Sequence, residues 1–86
     1  MEVLNASGRT GLARAATDRL RGGGFDVVYF GNASGFSGDS TLILDRTGDD
    51  AVAHAVARFL GAGIVRTERD TTRFVDATVI IGRDWR

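Results

Sequence analysis

The chain has 86 residues, of which 43% are hydrophobic and 26% charged, and its 11 basic residues are balanced by 11 acidic ones. That length makes a single domain, residues 1–86, with one small core, and the composition excludes intrinsic disorder. Zero net charge argues against nucleic acid or an anionic membrane as the main partner, and with no Cys and one histidine, His54, there is no disulfide, thiolate site or multi-His metal centre.

Every basic residue is Arg. Beside so much Ala, Gly, Val and Asp, this reads as GC-rich coding rather than selection for Arg chemistry. The chain enters a strand almost at once, at Glu2-Val3-Leu4, with no signal peptide and no long apolar run. That reads as a domain of a longer protein, with any membrane attachment supplied by a segment outside this chain.

The first strand ends in turn chemistry, Asn5-Ala6-Ser7-Gly8. From Arg9 to Arg21 the pattern is helical: Leu12, Ala16 and Leu20 share one face. Ser7 or Thr10 is the candidate N-cap, and Gly22-Gly23-Gly24 stops the helix. Phe25 to Phe30, rich in β-branched and aromatic residues, predicts a strand. Gly31 to Asp39 predicts a loop and Thr41 to Leu44 another strand. After Asp45-Arg46-Thr47-Gly48 a second helix is predicted, burying Val52, Val56, Phe59 and Leu60, with Asp49 and Asp50 favoured by the dipole in its first turn. Gly61-Ala62-Gly63 ends it. Ile64 to Thr67 is an extra short strand, Glu68 to Asp76 a polar loop, and Ala77 to Ile81 the last strand.

This order predicts an α+β fold: βαββαβ with two split βαβ units, an antiparallel sheet of the ferredoxin-like or SPOR-like kind, and both helices on one face. The two halves look alike. Arg9-Thr10-Gly11 opens the first helix and Arg46-Thr47-Gly48 precedes the second. Duplication is one explanation; a shared need for the same caps and stops is the other, and the favoured one.

The tetrapeptide Asn-Ala-Ser-Gly occurs twice, at Asn5–Gly8 and Asn32–Gly35. In a split βαβ unit the two strands run parallel with another between them, so both tetrapeptides reach one edge of the sheet, where the first helix begins. Asn5, Ser7, Gly8, Arg9, Thr10, Gly11, Asn32, Ser34 and Gly35 then form a candidate site for a phosphate, a carboxylate or an acidic glycan. Asn, Ser and Gly are equally what turns use, and the turn reading takes precedence. The spacing Gly8-x-x-Gly11 is neither a dinucleotide fingerprint nor a P-loop.

No catalytic residue and no cofactor is predicted. His54 lies mid-helix without a nucleophile or carboxylate motif beside it, so a helix-surface or boundary position is expected. There is no Gly-x-Ser-x-Gly elbow. Arg66, Glu68, Arg69, Asp70 and Arg73 alternate in sign, as a solvated face does. Phe74 is expected to fold onto the core; Phe36 is open between core and exposed contact. RNA recognition is rejected, because Val3-Leu4-Asn5 and Thr41–Leu44 carry no aromatics for base stacking.

Val3–Gly8, Gly11-Leu12-Ala13, Gly24–Val28, Gly31-Asn32-Ala33 and the ending Val79-Ile80-Ile81-Gly82-Arg83-Asp84-Trp85 together resemble the C-terminal domain family of LytR–CpsA–Psr cell-envelope proteins. The likeness spans nearly the whole chain, although this chain lacks the Pro that the family often carries near the second helix and before the last strand. The resemblance implies an extracytoplasmic domain attached to the plasma membrane through its parent protein. It implies an accessory module rather than an enzyme, since the Arg and Asp cluster of the catalytic domain has no counterpart here. The partners expected are peptidoglycan, an anionic wall polymer or another envelope protein, with self-association through an edge strand such as Ile64 to Thr67 as the alternative.

Overall fold

The computed structural model describes residues 1–33, 38–70 and 75–85. Its elements are β1 (Glu2–Asn5), α1 (Leu12–Gly22), β2 (Tyr29–Asn32), β3 (Leu42–Asp45), α2 (Ala51–Leu60), β4 (Ile64–Thr67) and β5 (Ala77–Ile81). The α+β class, the two helices and the extra strand are as the sequence predicts.

The strand order differs in detail. The sheet runs β2-β1-β5-β3-β4 and is mixed. Strands β1 and β2 are direct parallel neighbours, Asn5 opposite Asn32, with no strand between them. Strands β3 and β4 pair in the same parallel way. The last strand then joins the two βαβ units, parallel to β1 and antiparallel to β3. A central strand buried on both faces reads as a continuous apolar run, and Ala77-Thr78-Val79-Ile80-Ile81 is buried throughout.

Both helices pack on one face. Val3, Ile43 and Val79 line up in one cross-strand row and join Ala13, Ala16 and Leu20 of α1 and Ala53, Val56 and Leu60 of α2 in the main core. Each large aliphatic side chain so buried contributes about 1.5–3 kcal/mol. On the other face Ala6, Leu44 and Ile80 form a second cluster. Tyr29 lies in register with Glu2, on that face, whereas Phe30 shares the row of Val3.

Several local expectations shift. In α2 the buried stripe is Ala53, Val56 and Leu60, not Val52 and Phe59, which are over a third exposed. Phe59 instead packs against Phe25, with ring centroids 5.4 Å apart, under the guanidinium of Arg19. Strand β2 starts at Tyr29 rather than Phe25, because the α1 terminus holds the start of that segment: the Phe25 amide donates to the Leu20 carbonyl. Strand β2 accordingly extends through Gly31 and Asn32, two residues expected in a loop. Helix α1 begins at Leu12, and its N-cap is Gly11, with no side-chain cap from Ser7 or Thr10. Asp49 and Asp50 lie just before the first turn of α2; Asp50 is its N-cap residue and the Asp49 carboxylate accepts from the Ala51 amide at 3.2 Å.

The C-terminal tail closes the fold. The Gly82 amide donates to the Thr41 hydroxyl at 3.0 Å, Trp85 is buried in the main core, and the Asp84 carboxylate engages Thr41 as well. A side chain at position 82 has no room: an added Cβ falls 2.4 Å from the Ser40 carbonyl carbon.

Candidate functional site

The turn after β1 is built by its own side chains. The Asn5 carboxamide oxygen accepts from the Ser7 amide at 3.0 Å and from the Ser7 hydroxyl at 2.6 Å. Its Nδ2 donates to the Arg9 carbonyl at 2.6 Å, and the Ser7 hydroxyl in turn accepts from the Arg9 amide at 3.0 Å. Short polar side chains that bond to backbone two residues on favour this geometry. Gly8, at φ +78°, turns the chain through the left-handed region.

The turn after β3 repeats it. Asp45 accepts from the Thr47 amide at 3.0 Å and the Thr47 hydroxyl at 2.8 Å, the Thr47 hydroxyl accepts from the Asp49 amide, and Gly48 lies at φ +90°. Asn5/Asp45, Ser7/Thr47 and Gly8/Gly48 are therefore equivalent, at a constant offset that continues into the helices as Ala13/Ala53, Ala16/Val56 and Leu20/Leu60. The true correspondence between the halves is this one, not Arg9-Thr10-Gly11 with Arg46-Thr47-Gly48. Sequence reading missed it because Asn and Asp, or Ser and Thr, differ in letter but share the acceptor and hydroxyl that make the turn.

The two turns differ in charge. Burial works to raise the Asp45 pKa, but hydrogen bonds from Thr47, Gly48 and Thr67 outweigh it and hold the carboxyl below its ordinary value. Acidic Asp49 and Asp50 stand before α2, where Arg9 and Thr10 stand before α1. At the α2 end Arg69 beside Gly48 is accompanied by Asp49 and Asp50, whereas at the α1 end Arg9 and Arg14 form a cationic rim.

That end opens into a cleft of about 550 Å³, walled by Gly8 to Gly11, Arg14, and Phe30 to Ala33. Parallel pairing brings Asn5 and Asn32 together at its floor. The structure thus unites Asn5, Gly8, Arg9, Thr10, Gly11 and Asn32. Ser34 and Gly35 lie outside the described residues, as do Phe36, Arg73 and Phe74. Not every member is available: the buried side chains of Asn5 and Ser7 are spent on the turn. One Arg9 nitrogen, Nη2, donates to the Arg83 and Trp85 carbonyls at 2.9 and 3.3 Å. Arg14 sits on the rim 3.9 Å from Asp18, both well exposed. The first-turn amides of α1 have no intrahelical partner by geometry and no side-chain cap. Sequence reading missed Arg14 and Phe30, which reach the cleft only because α1 starts three residues late and β1 and β2 are adjacent.

Elsewhere the chemistry is sparse. His54 lies on the exposed side of α2, 3.1 Å from Asp50. Arg66, Glu68 and Arg69 are exposed. Among the described residues no group of three His, Cys, Asp or Glu side chains is placed to hold a metal ion, and no helix is long and apolar enough to cross a membrane.

Two βαβ units joined by a shared central strand, with one cationic cleft, define a small α+β module. Residues 1–85 match the family model for the LytR C-terminal domain, described as LytR cell envelope-related transcriptional attenuator, and the chain belongs to that family of cell-envelope-related domains. No curated protein and no solved structure matches it.

Proposed function

We propose that this domain is a non-catalytic accessory module of a LytR–CpsA–Psr-type envelope protein, held outside the cytoplasm through its parent, and that it binds anionic groups of a wall polymer or of peptidoglycan. The observation that carries the reading is the cleft at the carboxyl ends of β1 and β2, where the uncapped first turn of α1 meets Arg9 and Arg14. Helix N-termini favour negative charge, and ligands of sheets with parallel strands gather beyond the strands' carboxyl ends. The half-exposed ring of Phe30 beside the Asn32 amide suits a sugar face next to a charged group. The equivalent turn before α2 carries Asp49 and Asp50 in place of Arg9 and Thr10, which disfavours an anion there.

Titration with a muropeptide carrying free carboxylates, and with a glycerol-phosphate oligomer, tests this by amide chemical shifts. Changes centred on Gly8, Arg9, Gly11 and Asn32, and retention on purified sacculi at low salt that is lost at high salt, support the reading. Unchanged shifts there, with no retention at low salt, overturn it.

A further inference from the structure

The tail and the cleft meet through one side chain. Arg9 walls the cleft, and its Nη2 donates to two backbone carbonyls of the tail, Arg83 at 2.9 Å and Trp85 at 3.3 Å. Its Nε and Nη1 make no hydrogen bond among the described residues.

The two carbonyls are themselves held. The Arg83 amide donates to the Gly38 carbonyl at 3.1 Å, and the Asp84 amide to the Asp39 carbonyl at 3.0 Å. The Asp84 carboxylate is bonded to Thr41. The Trp85 side chain, 4% exposed, is sunk in the main core. Residues 82–85 therefore form a fixed frame, and Trp85 anchors its end.

The acceptors on Arg9 are also neutral. Arg14 on the same rim faces the Asp18 carboxylate, and Arg83 pairs with Asp39 at 3.3 Å. A carboxylate partner offsets the charge that an anion would meet; a pair of carbonyls orients the guanidinium and leaves its charge intact. Arg carries much rotamer entropy, and fixing the side chain before a ligand arrives removes that cost from binding.

We infer that Trp85 is a positioning residue for the anion cleft: buried in the core, it holds the tail carbonyls against Arg9 and leaves Nε and Nη1 of a pre-oriented guanidinium for the ligand. The inference rests on the anion-binding reading above and adds how that site is set.

A double-mutant cycle on affinity, measured by titration calorimetry, tests it. The probe is whichever of the glycerol-phosphate oligomer and the muropeptide binds wild type more tightly. Trp85→Ala is expected to bind about fivefold more weakly, the scale of one side chain that must be ordered on binding. Trp85→Phe keeps the core filled and retains wild-type affinity; it forfeits no bond, since Trp85 Nε1 has no partner among the described residues. In the Arg9→Ala background, Trp85→Ala changes nothing further, whereas a merely structural role weakens both backgrounds alike. Because Trp85→Ala empties part of a small core, wild-type protein supplies a second measurement. Side-chain nitrogen spectra without ligand show hindered rotation of the Arg9 guanidinium and free rotation of the exposed Arg14 one. Equal losses in both backgrounds, full affinity in Trp85→Ala, or free rotation at Arg9 overturns the inference and leaves the anion reading in place. Wild-type protein that binds neither probe overturns that reading and the inference with it.

Discussion

The carboxylate of Asp84 accepts two hydrogen bonds from Thr41, from its amide at 2.9 Å and its hydroxyl at 2.7 Å, across 43 residues of sequence. Thr41 is fully buried and directly precedes β3. One acidic residue in the tail therefore fixes where an inner strand of the sheet begins. Asp84→Ala leaves a buried amide and hydroxyl short of their acceptor, which costs about 2–3 kcal/mol for bonds to a charged group. Urea denaturation checks this: the midpoint falls while the slope stays unchanged.

Gly82→Ala is expected to be as damaging for a different reason. The added methyl meets the Ser40 backbone rather than a flexible side chain, so the tail and the start of β3 must separate. Overpacking of that kind costs about 1–3 kcal/mol. Thermal unfolding by circular dichroism reads the loss, and a melt equal to wild type contradicts the close approach.

Asp45 makes stability depend on acid. Its folded-state pKa is depressed by the bonds from Thr47, Gly48 and Thr67, so the unfolded chain binds a proton more readily. Its contribution is therefore complete above the unfolded carboxylate value and is lost as pH falls through the folded one. Asp45→Asn is less stable than wild type at neutral pH, and the gap narrows as pH drops below the ordinary Asp range. Denaturation midpoints of both proteins along a pH series check the sign.

Thr17→Val is expected to stabilise the domain by about 1 kcal/mol. The Thr17 hydroxyl is buried on the core face of α1 and makes no hydrogen bond among the described residues. Valine keeps the shape and removes the desolvated hydroxyl. A higher melting temperature supports this, and a fall exceeding ~1 kcal/mol contradicts it.

For the cleft, Arg14→Ala weakens binding of an anionic wall fragment about fivefold, as loss of one exposed charge on a rim does, and leaves the melt nearly unaltered, because the Arg14 side chain is well exposed and its pairing with Asp18 is a surface one. Titration calorimetry at two salt concentrations checks both the affinity and its smaller salt dependence. Arg9 is a poorer choice for this purpose, since it also ties the tail carbonyls.

Much of the fold was legible along the chain. Glycine stops, apolar periodicity and turn residues place two helices and five strands in order, and the motif order points to the family that the match over residues 1–85 establishes. Boundaries slipped where a tertiary partner outbid local preference: Phe25 reads as strand yet stays tied to Leu20, and Thr41 gives its amide to Asp84 rather than to the ladder.

By itself the sequence determined the two helices, the βαββαβ order with its extra short strand, and the turn chemistry at Asn5, because these depend on side chains acting within a few residues of themselves. Only the tertiary structure decided that β1 and β2 are neighbours, that β5 lies between the two units, and that Arg14 and Phe30 share a cleft with Gly11 and Asn32. Strand order is a competition among burial options for whole faces. Ala77–Ile81 wins the centre because its entire length is apolar or hydroxyl-bearing and can be buried on both sides, a comparison among strands that no single segment contains.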